Sequence, residues 1–116
     1  MVEIPENIRE VVINYLKDLS SEIDIDKAIL FGSYAKGNYG IDSDIDLAIF
    51  SDSFKDMERV ESIKYLLKMA RKYKGVDLQP ISFTKQDYEE RIGIVREVLK
   101  TGIELSIVAM ADANTN

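Results

Sequence analysis

Two aspartates separated by a single apolar residue constrain this chain more than any other feature of it. Asp44 and Asp46 alternate with Ile45 and Leu47, and the apolar run continues through Ala48, Ile49 and Phe50. A period of two is a strand signal, placing both carboxylates on one face and both aliphatic side chains on the other. Along one face their Cα atoms lie about 6.6–7 Å apart. Carboxylates held together in this way repel each other, which is costly unless a cation lies between them. The strand must therefore be packed on one face and open at the aspartates on the other. Alone, Asp-x-Asp is also what a solvated edge strand would show, so the neighbouring segments decide its meaning.

Upstream, residues 27–31 read as a short buried strand that runs directly into Gly32-Ser33. A glycine there allows the backbone to approach a ligand, while the serine hydroxyl and the N–H groups of the next turn can hold phosphate oxygens. Residues 34–39 form a turn or short helix, and Lys36 within it is either an exposed lysine or a phosphate contact. Tyr34 and Tyr39 either stack on a base or pack on the surface. Downstream, residues 76–83 predict a third strand, which Pro80 marks as an edge or as bent. If that strand neighbours the Asp-x-Asp strand, Asp77 faces the same site, as a further ligand or as general base for an incoming hydroxyl. Asp42 reads as a turn residue. A calcium loop beginning at Asp42 is excluded, because Leu47 and Ser53 stand where glycine and glutamate are required.

The remaining pattern is helical or connecting. Helical spacing over 5–19 brings Ile8, Val11, Val12, Tyr15, Leu16 and Leu19 onto one stripe. Asp52 and Ser53 are candidate N-caps for a long helix over 53–73, with Met57, Val60, Ile63, Leu67 and Ala70 as its apolar face. Thr84 and Asp87 form a capping-box pattern, a helix follows over 94–101, and 103–108 offers a last strand. The expected fold class is α/β (α+β): a small mixed β-sheet with helices packed on it. Residues 1–109 are expected to form one domain, with 110–116 as a C-terminal tail.

Composition narrows the chemistry. The chain of 116 residues contains no histidine and no cysteine, so catalysis has to rest on carboxylates, lysines, tyrosines or a hard cation. Its formal charge of −6 argues against wrapping nucleic acid, yet suits a nucleotide bound through a metal. No apolar run reaches the roughly 20 residues of a membrane span, and no leader pattern opens the sequence, so a cytoplasmic location is expected.

Gly32-Ser33, ten residues, Asp44-Ile45-Asp46 and a later strand aspartate together resemble the signature of the polymerase-β-like nucleotidyltransferases. The form GSYAKG…SDIDLAIF is similar to the minimal nucleotidyltransferase branch, which pairs with HEPN-domain proteins in toxin–antitoxin modules. The resemblance implies Mg²⁺-dependent transfer of AMP from ATP to a tyrosine hydroxyl of a HEPN toxin, neutralising it within a hetero-oligomer. It further implies that Gly32 and Ser33 hold the triphosphate, to which the neighbouring Lys36 is expected to add a nucleotide contact of this chain's own. Asp44 and Asp46 would bind two Mg²⁺ ions, and Asp77 would complete the catalytic and metal-binding triad. Many relatives carry an arginine just after the Gly-Ser pair, where this chain has Tyr34. The alternative is a non-catalytic antitoxin that neutralises its partner by binding alone.

Overall fold

The computed structural model describes residues 4–106. Its centre is a four-stranded sheet in the order β3-β2-β1-β4. The strands are β1 (Lys27–Phe31), β2 (Ile45–Phe50), β3 (Leu78–Phe83) and β4 (Ile103–Leu105). β1 runs antiparallel to β2 and β4, whereas β2 and β3 are parallel. This is the mixed α+β sheet that the residue pattern predicts. Pro80 lies on the outermost strand, where its missing N–H interrupts no ladder bond between two neighbours.

One face of the sheet carries Ala28, Leu30, Ile45, Leu47, Ile49 and Leu78, packed beneath α1 (Glu6–Ser20) and α3 (Arg59–Ala70). The buried stripe of α1 is Ile8, Val12, Tyr15, Leu16 and Leu19, as the helical spacing requires. Each such side chain contributes about 1.5–3 kcal/mol by leaving water. The opposite face joins Ile29, Ala48, Phe50 and Phe83 to Val95 and Val98 of α5 (Ile94–Thr101). Tyr88 of α4 (Lys85–Glu90) meets Phe50 edge-on, with ring centroids 5.7 Å apart. These two short helices cover the half of the face nearest Phe50. The other half, with Asp46 and Gln79, stays open to solvent.

The long helix expected over 53–73 is instead two elements. Ser51 caps a 3-10 turn, Asp52–Phe54, by accepting a hydrogen bond from the Ser53 amide at 3.1 Å. The chain then leaves helical geometry at Glu58, whose ψ is 142°, and α3 starts only at Arg59. The buried face rotates accordingly to Ser62, Leu66, Met69 and Ala70, leaving Val60 62% exposed. Ser62 is acceptable there because its hydroxyl meets that of Ser82 at 2.6 Å. The Thr84/Asp87 capping box forms in full at the start of α4. Of the strand expected over 103–108, residues 103–105 form β4. Residues 107–108 and the 110–116 tail lie outside the described residues.

Candidate active site

The site begins where β1 stops. Phe31 is paired with Asp46 across the β1/β2 ladder, so the next residue, Gly32, turns directly over the aspartate. Gly32 has φ 74° and ψ −148°, a region essentially reserved for glycine. A β-carbon at this position would overlap the Asp46 carboxylate. The glycine is therefore required by its backbone angles, and any side chain here would also push the Asp46 carboxylate aside. Ser33 opens α2 (Ser33–Lys36), whose first hydrogen bond runs from the Lys36 amide to the Gly32 carbonyl at 3.0 Å. The serine and the amides ahead of that bond follow directly on Gly32, which lies against Asp46.

The parallel ladder supplies the third carboxylate. Ile45 pairs with Leu78 and Asp46 with Gln79, so Asp44 and Asp77 precede the two strands side by side. The Ile45 amide donates to the Asp77 carbonyl at 2.8 Å, fixing this alignment. Asp44, read from the sequence as part of the strand, stands one residue ahead of β2. Gln79 was not singled out by the sequence reading. Its side-chain amide donates to the Asp77 carboxylate at 2.6 Å. The signal was available in the alternation Asp77-Leu78-Gln79, which puts both polar side chains on one face.

Asp44, Asp46 and Asp77 thus converge on the open half of the sheet. The Asp77 carboxylate, within hydrogen-bonding reach, raises the pKa of Asp44 above the ordinary carboxylate value by hydrogen bonding and by repulsion. Asp46 is raised first by its partial burial and then by the charges of Asp44 and Asp77. The ion pair found among the described residues is Lys27–Glu104, which involves none of the three aspartates. Their charge is thus left without a cationic side chain to offset it. An all-oxygen donor set suits a hard cation such as Mg²⁺. Among the described residues, no three ligating side chains close into a ready-made cage. Mg²⁺ needs no such cage, because it keeps several waters and takes one or two carboxylates together with substrate phosphates. The residues present therefore fit the ion.

Lys36 is exposed in the last turn of α2, and no contact ties it to the aspartates. Tyr34 is buried, and Tyr39 stacks on it with centroids 4.6 Å apart, so the two rings pack on each other. Asp42 lies in a turn closed from the Ser43 amide to the Gly40 carbonyl at 3.2 Å.

The chain as a whole has counterparts among known proteins. Residues 10–108 match the family described as Polymerase beta, Nucleotidyltransferase. The chain belongs to that family. This nucleotidyltransferase is 30% identical over 103 residues to a Methanocaldococcus jannaschii protein provisionally named a protein adenylyltransferase, covering 84% of this chain and 98% of that one. A Sulfolobus solfataricus structure, provisionally assigned as a nucleotidyltransferase, shares the fold with a TM-score of 0.60 at 20% identity. That match covers 82% of this nucleotidyltransferase and 76% of the other chain. A second structure of the same provisional assignment has a TM-score of 0.50 and 25% identity, over 87% and 96% of the two chains.

Proposed function

We propose that this nucleotidyltransferase moves AMP from ATP to a tyrosine hydroxyl of a partner protein, and that the partner is a HEPN-domain toxin neutralised by the transfer. The observation that carries the reading is the convergence of Asp44, Asp46 and Asp77 on an open sheet face beside the Gly32-Ser33 turn. The protein acceptor is supported by the name of the M. jannaschii relative. The HEPN partner rests on the sequence resemblance to the minimal branch of the family.

Asp44, Asp46 and Asp77 would hold Mg²⁺. When bound, the ion supplies Lewis-acid polarisation and neutralises charge on the phosphates. Ser33 and the amides next to it receive phosphate oxygens, and the absence of a side chain at Gly32 leaves room for the Asp46 carboxylate against that turn. Lys36 adds a positive charge along the same approach. Asp77, oriented by Gln79, takes the proton from the acceptor hydroxyl. The hydroxyl oxygen forms a bond to the α-phosphorus as the bond to pyrophosphate breaks. The products are an AMP ester of the acceptor and pyrophosphate, with no covalent enzyme intermediate.

The test is intact mass of a HEPN-domain protein from the same genome after incubation with this enzyme, ATP and Mg²⁺. A gain of one or more AMP units, lost with Asp44→Asn, supports transfer. A stable complex of unchanged mass would replace it with neutralisation by binding alone.

A further inference from the structure

A groove of about 900 Å³ runs beside the aspartates, between the start of α1, the 39–43 loop and the 75–77 connection. That volume lies within the roughly 300–1,000 Å³ of ligand pockets. Ile8, Tyr34, Ile45 and Val76 give it apolar walls, and Asp77 belongs both to the groove and to the transfer site. Its charged lining residues are Asp42 and Asp77, with no lysine or arginine among them. The lip is braced. Besides the Ser43-to-Gly40 backbone bond, the Gly40 amide donates to the Ser43 hydroxyl at 2.7 Å. Ile41, at the tip of this turn, is 99% exposed. Single exposed apolar residues are ordinary on protein surfaces. This one stands at the tip of a turn closed by two hydrogen bonds, on a groove that Asp77 also lines.

We propose that the groove seats the acceptor. Its occupant is a tyrosine-bearing protein segment with an apolar residue against Ile41 and a lysine or arginine beside Asp42. The proposal rests on the reading above, in which Asp77 takes the acceptor's proton, and adds where the acceptor lies and what flanks its hydroxyl. The charge of the lining selects this occupant. A nucleic acid or other phosphate-rich ligand finds no lysine or arginine along the groove and is repelled by Asp42, which stands apart from the three metal-binding aspartates. The donor's phosphates already have the Gly32-Ser33 turn. The chain's net charge of −6 acts in the same direction.

The test needs no turnover. A capped pentapeptide with a central tyrosine flanked by leucine and arginine is titrated into the full-length protein, and its counterpart carries glutamate for arginine. The basic peptide is expected to bind about tenfold more tightly than the acidic one. Ile41→Ser should weaken its binding about tenfold. Ile92→Ser, an exposed apolar residue in the α4–α5 connection, should leave it unchanged. Equal binding of the two peptides, no effect of Ile41→Ser, or displacement of the basic peptide by Mg²⁺–ATP would each overturn the assignment. Peptide binding as expected without any AMP transfer to the HEPN protein would uphold the groove and sink the transfer reading. AMP transfer that Ile41→Ser leaves untouched would do the reverse.

Discussion

The helix-covered face of the sheet and its open half treat polar groups in opposite ways. Beneath α1 and α3 every polar side chain that is buried has a partner. The Tyr15 hydroxyl donates to the Leu66 carbonyl at 2.8 Å, and Ser62 meets Ser82. Around them Tyr65 donates to Glu22, and Tyr73 to Asp18. Among the described residues, no buried side-chain nitrogen or oxygen is left unsatisfied. On the open half three acidic side chains are gathered, and among the described residues no ion pair offsets them. The first region is arranged for stability. The second holds a repulsion that a bound cation or proton relieves, which is the pattern expected of a functional site.

The comparison breaks most sharply at the aspartates. Asp46→Asn is expected to lower AMP transfer on the order of 10²–10³-fold or more, while the melting temperature of the metal-free protein holds or rises. A fall in melting temperature would mean that the carboxylate is structural. Gly32→Ala should cost about 1–3 kcal/mol by denaturant unfolding and remove transfer as well, since it strains the backbone and displaces Asp46. On the covered face the effects reverse. Tyr15→Phe removes the hydroxyl's bond to the Leu66 carbonyl, which stays within the α3 ladder, and should cost about 0.5–1.5 kcal/mol with the turnover of the folded enzyme unchanged.

Two pH effects sharpen the contrast at smaller amplitude. Asp44 and Asp46 have folded pKa values above those of the unfolded chain, so the native state holds their protons more readily. Their contribution is greatest below the ordinary carboxylate pKa and is lost as pH rises through the raised values. Added Mg²⁺ should therefore raise the melting temperature more at pH 7 than at pH 4. Tyr65 is pushed up to about 12, by burial first and then by Glu22, and burial also raises Tyr15. Their contribution is complete below about pH 10 and declines above it. Tyr65→Phe should flatten that alkaline decline, followed by melting temperature against pH.

Much of this was legible in the sequence because it is local. Alternation at 44–47 announced a strand with one open face, Pro80 announced an edge, and Thr84 with Asp87 announced a helix start. The position of α3 was hidden because its apolar stripe continues backward through Val60 and Met57, while Glu58 departs from helical angles. The burial of Ser62 depends on Ser82, twenty residues away, which no periodicity encodes. Asp77 could be named but not placed. Its alignment with Asp44 comes from a strand register, and a register between parallel strands is fixed by the whole intervening crossover.

That parallel pairing also leaves the site with one local and one distant contact. β1 and β2 are joined by residues 32–44, about half the length of the 51–77 crossover to β3, so the contact of Gly32 with Asp46 is the more local one. β3 can dock only after the chain has travelled through α3, a non-local contact of the kind that slows folding. The third carboxylate thus hangs on a single seam: parting β3 from β2 would take Asp77 out of the site while leaving Gly32 and Asp46 together.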